Sequence, residues 1–230
     1  MLAIIFDLDN TIIDTYGVYW NAKFYLAKAI KNSGGKTGDL KDFVEIIFGI
    51  DRELCAKYKR WNYDQQILIE QSCKKAGAVK CDFRNLTKEY EKNLEKTPEL
   101  LPGAFKTLSI LKSNSICLLL LSEGIQAKVE KILQKLNIAT KFDQVIVLQR
   151  KDETNLCKVM DALKGKGYCR IFYVGDSIDK DIKIGNAIGC TTIWLPSRWE
   201  IGKPTKEETK PHYTIKCLEE ILNIVKTKNV

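Results

Sequence analysis

Histidine is almost absent from this chain, and its scarcity removes whole classes of chemistry. The 230 residues contain one histidine, His212. A metal site that needs two imidazoles and an HExxH zinc helix are therefore excluded. A Ser-His-Asp or Cys-His mechanism would have to use His212, close to the C-terminus, as its base. We expect any catalysis to depend on other side chains.

The eight cysteines lack the short spacings of a metal or redox site. No CxxC pair occurs, and several cysteines lie inside apolar runs, such as Cys117 in ICLLLL and Cys190 in GCTTIWL. Free cysteine in such a run behaves as a small hydrophobic residue. We interpret the set as reduced thiols of a cytoplasmic protein, with a disulfide between two of them as the alternative.

Long hydrophobic runs and clusters of like charge are missing too. The apolar run after Met1, LAIIF, is too short for a signal peptide or a membrane span. The formal net charge is +8, but lysine and arginine are spread along the chain, whereas a nucleic-acid footprint is usually a stripe or cluster. We therefore expect a soluble, cytoplasmic protein with no membrane or nucleic-acid partner and a mild attraction for anionic substrates. The sequence does not predict an oligomeric state.

The apolar segments that are present predict a parallel sheet. Five short runs are continuous rather than alternating, as in strands that are covered on both faces, and they occupy residues 2–6, 116–121, 145–148, 170–174 and 191–195. Helical stripes lie between the later runs, at Ile125, Val129, Ile132, Leu133 and Leu136 and again from Phe105 and from Leu218. This alternation predicts an α/β fold with a Rossmann-like, doubly wound parallel sheet.

A helical insertion interrupts the alternation after the first strand. Residues 16 to 98 contain no strand run and show helical stripes instead, including Val18, Ala22, Tyr25 and Ala29, and then Phe43, Ile46, Ile47 and Ile50. We predict a core domain formed by residues 1–15 and 99–230, and an inserted all-helical domain of four or five helices over residues 16–98.

Two acidic clusters follow predicted strands. Asp7 and Asp9 end the first strand, and Asp176, Asp179 and Asp181 follow the strand at 170–174. The carboxyl ends of strands in a doubly wound sheet form its ligand-binding edge, so the two clusters are expected to converge. Neighbouring carboxylates repel each other unless a cation is bound, and Mg²⁺ prefers oxygen ligands. For Asp7 or Asp179 alone, a helix N-cap is the alternative interpretation.

The same residues carry a resemblance to a known family. Asp7-Leu8-Asp9-Asn10-Thr11 resembles the DxDxT motif of the haloacid dehalogenase (HAD) superfamily, and Gly175-Asp176-Ser177 with Asp181 resembles its GDSxxxD motif. Ser122-Glu123-Gly124 is similar to the superfamily's strand that ends in Ser or Thr. The insertion lies where C1 caps are inserted. The resemblance implies a phosphatase-type HAD hydrolase with a helical cap.

The resemblance also implies a role for each matching residue. Asp7 would be the nucleophile that forms an aspartyl-phosphate, and Asp9 would serve as general acid and then as general base. Mg²⁺ would be held by Asp7, the Asp9 carbonyl and Asp176, with Asp181 as a further ligand or an orienting partner. Ser122 would bind the phosphoryl group. The predicted substrate-binding residues are Thr11, Glu123, Gly124 and Arg52.

The lysine that the superfamily uses beside the phosphoryl group is harder to assign. The usual Lys-Pro sequence after the third strand is absent, and Gln149-Arg150-Lys151-Asp152 stands in its place. We predict Lys151, because it follows the strand directly, with Lys158 in the next helix as the alternative. Glu123 is a second departure, since many members carry a small polar residue there. An extra acid at this point would slow catalysis or point away from the site.

The second acid of the first motif decides the predicted reaction. Asp9 can serve a leaving group, as in phosphatases and phosphomutases, so we predict a Mg²⁺-dependent phosphatase that hydrolyses a small phosphorylated metabolite. A phosphomutase and a non-catalytic HAD-like binding protein are the alternatives, and a polynucleotide phosphatase rests on the net charge alone. We expect the insertion to close over the site and select the substrate, with the candidate residues Lys23, Arg52, Arg60, Trp61 and Tyr63.

Overall fold

The computed structural model describes residues 1–59, 63–78, 81–199 and 202–226. The chain divides into two compact units, of which the first comprises residues 1–15 and 98–230 and the second comprises residues 16–97. The predicted division placed its boundaries after residues 15 and 98. That the second unit acts as a cap is a statement about function, and it stays a prediction.

A parallel sheet forms the centre of the first unit. Within the described residues it has six strands in the order β3-β2-β1-β4-β5-β6, and every neighbouring pair is parallel. The strands are β1 (Leu2–Phe6), β2 (Cys117–Glu123), β3 (Gln144–Leu148), β4 (Arg170–Gly175), β5 (Thr191–Trp194) and β6 (Tyr213–Thr214). The predicted Rossmann-like α/β class is confirmed. β6 was not predicted, because two residues are too few to give a run.

Both faces of the sheet are covered, which explains why the strand sequences are continuously apolar. In β1, Ile4 and Phe6 belong to one hydrophobic cluster, whereas Ala3 and Ile5 belong to the cluster on the opposite face. Successive side chains of a strand point to opposite faces, so a strand between two helical layers needs apolar residues at every position.

The insertion is all-helical within the described residues, as predicted. Its helices are α1 (Thr15–Asn32), α2 (Leu40–Tyr58), α3 (Gln65–Lys75) and α4 (Phe83–Leu94). Asp39, Asp64 and Asp82 cap the last three of these helices, because each carboxylate accepts a hydrogen bond from a backbone N–H of the first turn. The buried residues of these helices form a hydrophobic cluster of their own.

The remaining helices belong to the first unit. They are α5 (Ala104–Ser113), α6 (Gln126–Lys135), α7 (Glu153–Gly165), the short α8 (Ile184–Ala187) and α9 (Ile221–Lys226). A π-helical turn, Ile178–Lys183, precedes α8. No helix among the described residues combines the length and the apolar character that crossing a bilayer requires. All eight cysteines lie in the described residues as free thiols.

Several residues that we assigned to buried helical stripes are exposed. The stripe predicted for α1 was wrong at Tyr25, which is 51% exposed while the next residue, Leu26, is buried; Ala22 is buried as predicted. Ile125 is 70% exposed because it is the N-cap of α6 and precedes the helix instead of lying on its inner face. The other exposed members of the predicted stripes are Ile46 and Phe105.

The two ends of the insertion are joined by backbone hydrogen bonds inside the first unit. Asp14 N donates to Glu99 O at 2.8 Å, and Leu101 N donates to Ile12 O at 2.9 Å. Ile13 and Leu100 form an antiparallel bridge between these two bonds. The chain therefore leaves the sheet after β1 and returns to it through one short antiparallel pair.

Candidate active site

Three buried aspartates meet at the carboxyl ends of β1 and β4. Asp7 follows β1, Asp176 follows β4, and Asp181 lies in the π-helical turn after β4. One carboxylate oxygen from each lies within 4.8 Å of the others. Asp7 N donates to Val174 O at 2.9 Å, which fixes the end of β1 against β4. The two acidic clusters are therefore brought together by adjacent parallel strands.

Asp181 reaches the cluster because its carboxylate packs directly against the backbone of Gly175. A Cβ atom on Gly175 would overlap the Asp181 carboxylate, so the position requires glycine. Ser177 N donates to Asp181 Oδ2 at 3.0 Å, and Ser177 also caps the turn by accepting from Lys180 N at 3.3 Å. The cap of this turn is thus Ser177 and not Asp179, so the N-cap alternative for Asp179 was wrong.

Lys151 is the cation of the cluster. Its Nζ lies 2.5 Å from Asp7 Oδ1 and 2.8 Å from Asp181 Oδ1, and its side chain is only 3% exposed. Burial alone would lower the pKa of Lys151, but the charges of Asp181 and Asp7 outweigh it and raise that pKa well above its ordinary value. Lys158, the alternative, lies on α7 with its side chain exposed.

The cluster carries more negative than positive charge. Burial raises the pKa of Asp7 well above its ordinary value, Lys151 opposes this rise, and Asp181, Asp176 and Asp9 add to it. Three buried carboxylates thus share one ammonium group. Closely spaced carboxylate oxygens with excess negative charge are the donor set that a hard divalent cation prefers, so the residues present fit Mg²⁺.

Asp181 and Asp176 are each oriented by further hydrogen bonds. The Tyr173 hydroxyl donates to Asp181 Oδ1 at 2.8 Å, and burial together with the Asp181 charge raises the pKa of Tyr173. The Ser197 hydroxyl donates to Asp176 Oδ2 at 2.6 Å. Asp181 also binds Lys151 and Ser177 N, which is typical of an orienting partner. Sequence reasoning missed Tyr173 and Ser197, because neither belongs to a local motif.

Asp9 and Thr11 lie on the loop that follows β1. The Thr15 hydroxyl donates to Asp9 Oδ1, and the Thr11 hydroxyl donates to Asp7 Oδ2 at 3.3 Å. Asn10, between the two acids, has φ 56°, a left-handed conformation that lets the chain turn back there. The carboxylate of Asp9 is not part of the three-aspartate cluster. This does not test the predicted metal contact of Asp9, which was through its backbone carbonyl.

Ser122 carries a buried hydroxyl that lacks a hydrogen-bond partner within the described ranges of the chain. The residue is 1% exposed and lies at the end of β2, the strand next to β1. A buried hydroxyl without a partner costs about 1–3 kcal/mol. A ligand oxygen bound at this edge of the sheet would remove that cost.

Glu123 and Gly124 complete the end of β2. Glu123 Oε2 accepts from Lys151 N and Oε1 accepts from Lys180 Nζ, each at 3.1 Å. Gly124 N donates to Leu148 O at 3.0 Å, and Gly124 has φ 149°. The substrate-binding roles assigned to Glu123, Gly124, Thr11 and Arg52 stay predictions.

The candidates in the insertion have different surroundings. Arg52 is exposed on α2, whereas Arg60 and Trp61 lie outside the described residues. Lys23 is fully buried and forms a 2.7 Å ion pair with Asp51, to which the Tyr63 hydroxyl also donates. Lys23 and Tyr63 are therefore engaged inside the second unit.

Two named relatives align with almost the whole chain. The chain is 26% identical to glyceraldehyde 3-phosphate phosphatase of Methanocaldococcus jannaschii over 232 residues, 97% of this chain and 96% of the relative. It is 23% identical to pyrimidine 5'-nucleotidase of Streptococcus pneumoniae over 237 residues, 99% of this chain and 95% of that protein.

Solved structures share the fold, and a family model covers most of the sequence. The HAD-hydrolase YfnB of Bacillus subtilis, whose structure is bound to magnesium, superposes with a TM-score of 0.71 at 21% identity, covering 100% of this chain and 99% of that one. The model described as haloacid dehalogenase-like hydrolase matches residues 4–195, which run from within β1 to the end of β5 and include all the aspartates of the cluster. The chain belongs to the haloacid dehalogenase-like hydrolases.

Proposed function

We propose that this hydrolase is a Mg²⁺-dependent phosphatase that cleaves the phosphate monoester of a small metabolite through an aspartyl-phosphate. The observation that carries the proposal is the buried contact between the Lys151 ammonium and the Asp7 carboxylate. An ammonium beside a nucleophilic carboxylate suits a reaction in which negative charge from a phosphoryl group accumulates at that point.

The residues of the chain divide the chemistry between them. An Asp7 oxygen attacks phosphorus while the bond from phosphorus to the ester oxygen breaks, and Asp9 gives its proton to that leaving oxygen. The Asp9 carboxylate then takes a proton from the water that attacks the aspartyl-phosphate, which releases phosphate and regenerates Asp7. Lys151 neutralises charge on the phosphoryl oxygens, and the Ser122 hydroxyl donates to one of them.

In this proposal Asp7, Asp176 and the carbonyl of Asp9 would hold the metal, as the resemblance implies, and Asp181 completes the buried carboxylate cluster. When bound, Mg²⁺ would polarise a phosphoryl oxygen and neutralise part of the charge of the carboxylates. The three hydrogen-bond partners of Asp181 support its assignment as the residue that orients Lys151. The role of the second unit as a substrate-selecting cap and a cytoplasmic location are part of the same proposal.

Two observations support a small anionic substrate. The net charge of +8 gives a mild attraction for anions, and a relative that covers almost the whole chain is named for a three-carbon sugar phosphate. A phosphomutase would use the same pair of acids, Asp7 and Asp9. It would return the phosphoryl group to a second hydroxyl of the substrate instead of to water.

The proposal is tested by phosphate release from a panel of sugar phosphates, nucleotides and short phosphorylated acids with purified protein and Mg²⁺. We expect Mg²⁺-dependent turnover of at least one ester. Asp7→Asn should reduce it by at least about 10³-fold, since the nucleophile is lost. Asp161→Asn, an exposed aspartate on α7, is the matched control and should retain full activity. Full activity in Asp7→Asn, or no released phosphate from any ester, would refute the proposal.

A further inference from the structure

We propose that Glu123 is a positioning residue that holds the loop carrying Lys151, and through it the ammonium group that faces Asp7. The inference rests on the proposed function of Lys151. It also gives a role to the acid that departs from the family pattern at the end of β2. The carboxylate of Glu123 binds neighbouring protein groups with both of its oxygens.

The first contact is to the backbone of Lys151. Glu123 Oε2 accepts from Lys151 N at 3.1 Å. Lys151 is a buried residue at 6% exposure, so its backbone N–H needs an acceptor within the protein. The loop between β3 and α7 lacks the proline that would restrict its backbone, and a hydrogen bond from a neighbouring strand supplies a restraint in another way.

The second contact is to the turn that carries Asp181. Glu123 Oε1 accepts from Lys180 Nζ at 3.1 Å, and Lys180 directly precedes Asp181. Glu123 side-chain exposure is 26% and that of Lys180 is 53%, so water weakens this ion pair. The backbone contact is therefore expected to contribute most of the positioning, and the ion pair is expected to contribute less.

These contacts join the two segments whose side chains meet at the cluster. Lys151 comes from the loop after β3, at the edge of the sheet, and its side chain must pass the end of β2 to reach Asp7 after β1. Glu123 lies at the end of β2 and contacts the backbone of Lys151 there. A shift of about 1 Å in a charged group beside the reacting atoms costs up to about 10²-fold in rate.

Steady-state kinetics of Glu123 variants test the inference. Glu123→Ala should lower kcat by about 10- to 100-fold with a smaller change in KM, because the ammonium stabilises the transition state more than the bound ester. Glu123→Gln keeps an oxygen that can accept from Lys151 N, so it should recover kcat to within about 3-fold of wild type. Lys180→Met should also stay within about 3-fold.

A matched control separates positioning from a general loss of stability. Glu207 is an exposed glutamate in the loop before β6, and Glu207→Ala should leave kcat and KM unchanged. Equal losses of kcat in the Ala and Gln variants of Glu123 would overturn the inference. The acceptor oxygen that glutamine keeps would then make no difference to the position of Lys151. Unchanged kcat in Glu123→Ala would overturn it as well.

Hydrogen exchange gives a readout that does not depend on turnover. The backbone amides of residues 149–155 should exchange faster in Glu123→Ala than in wild type, and at nearly the wild-type rate in Glu123→Gln. Exchange in β4 should be the same in all variants. If the wild-type protein hydrolyses no ester, the proposed function fails. The exchange rates of residues 149–155 still decide whether Glu123 holds the loop. Unchanged exchange in Glu123→Ala would overturn the inference.

Discussion

Each unit of the molecule buries one lysine among the described residues, and the two lysines are held in different ways. Lys151 in the first unit and Lys23 in the second are 6% and 0% exposed. Taking an ammonium group out of water is costly unless it is paired, so each site must compensate for that cost. The groups that surround each ammonium indicate whether the lysine has a functional or a structural role.

Lys151 is surrounded by excess negative charge. Two carboxylates, Asp7 and Asp181, contact its Nζ, and Asp176 lies in the same cluster. The pKa of Lys151 is raised despite its burial, because these charges outweigh desolvation. Such a site holds its lysine charged and still has capacity for a further cation, which is typical of a site built to bind ligands.

Lys23 is surrounded mainly by aromatic rings. Its Nζ contacts one carboxylate, Asp51, at 2.7 Å, donates to the Tyr90 hydroxyl at 3.1 Å and lies 4.4 Å from the ring centre of Phe48. Burial lowers the pKa of Lys23, and the Asp51 charge only partly opposes this. One lysine is thus matched by one carboxylate, which is typical of a structural pair. Burial of a charge alone therefore does not mark a functional residue.

The largest effect should come from removing the lysine of the first unit. Lys151→Met is expected to lower kcat/KM by about 10²- to 10³-fold, because the charge that accumulates on the phosphoryl group loses its fixed counter-charge. The measurement is phosphate release from the best ester of the panel. Lys158→Met is the matched control, since that lysine is exposed on α7, and it should keep full activity. The reverse result, loss in Lys158→Met only, would assign the role to Lys158.

Removing the lysine of the second unit should affect stability. Lys23→Met leaves the Asp51 carboxylate, 14% exposed, without its counter-charge, and the free energy of unfolding should fall by about 3 kcal/mol. Urea unfolding followed by circular dichroism measures this fall. The double variant with Asp51→Asn should be less destabilised than Lys23→Met, because no unpaired charge is then buried. A double variant as unstable as the single one would contradict this account.

The smallest effect concerns the dependence of stability on pH. Lys23 has a lowered pKa in the native state, so between that pKa and the ordinary value of 10.5 the unfolded chain binds more protons. The contribution of Lys23 to the free energy of unfolding should therefore rise with pH in this window. Lys151 has a raised pKa, so its contribution should stay constant below 10.5 and fall only above it.

This contrast is measured as the difference in unfolding free energy between wild type and each lysine variant from pH 7 to 10. Burial raises the pKa of Tyr63 and Tyr90 above the ordinary value of 10.0 in the native state. Their titration in the unfolded chain is common to wild type and variants, so it cancels in this difference. A difference that grows with pH for Lys23→Met and is flat for Lys151→Met is expected. The same slope for both lysines would refute the comparison.

The sequence predicted the sheet better than the orientation of the helices. Continuous apolar runs marked β1 to β5 to within two residues at each end, because strands between two helical layers have apolar side chains at every position. Helical stripes were less reliable. In α1 both Tyr25 and Leu26 are apolar enough to fit an inner face, and only the packing of the neighbouring helices makes Leu26 the buried one.

At the site, the sequence predicted residues that belong to local motifs and missed those that do not. Asp7, Asp176 and Asp181 could be predicted because each follows the end of a strand, and parallel strands bring these ends together. Ser197 lies 21 residues beyond Asp176, and no spacing links the two. Tyr173 has the pattern of an ordinary strand residue. The contacts of Glu123 depend on loop conformation, which an isolated sequence does not specify.

The antiparallel pair at residues 12–14 and 99–101 has a consequence for how this protein can change over evolutionary time. The pair is closed by its own backbone hydrogen bonds, and the register of β1 is set by its pairing with β2 and β4. Neither depends on a hydrogen bond to the residues between Asp14 and Glu99. Insertions, deletions and replacements in residues 16–97 therefore leave the strand ends that carry the aspartates in register. If the second unit selects the substrate as proposed, substrate range can diverge in that part of the gene while the aspartates of the first unit are kept.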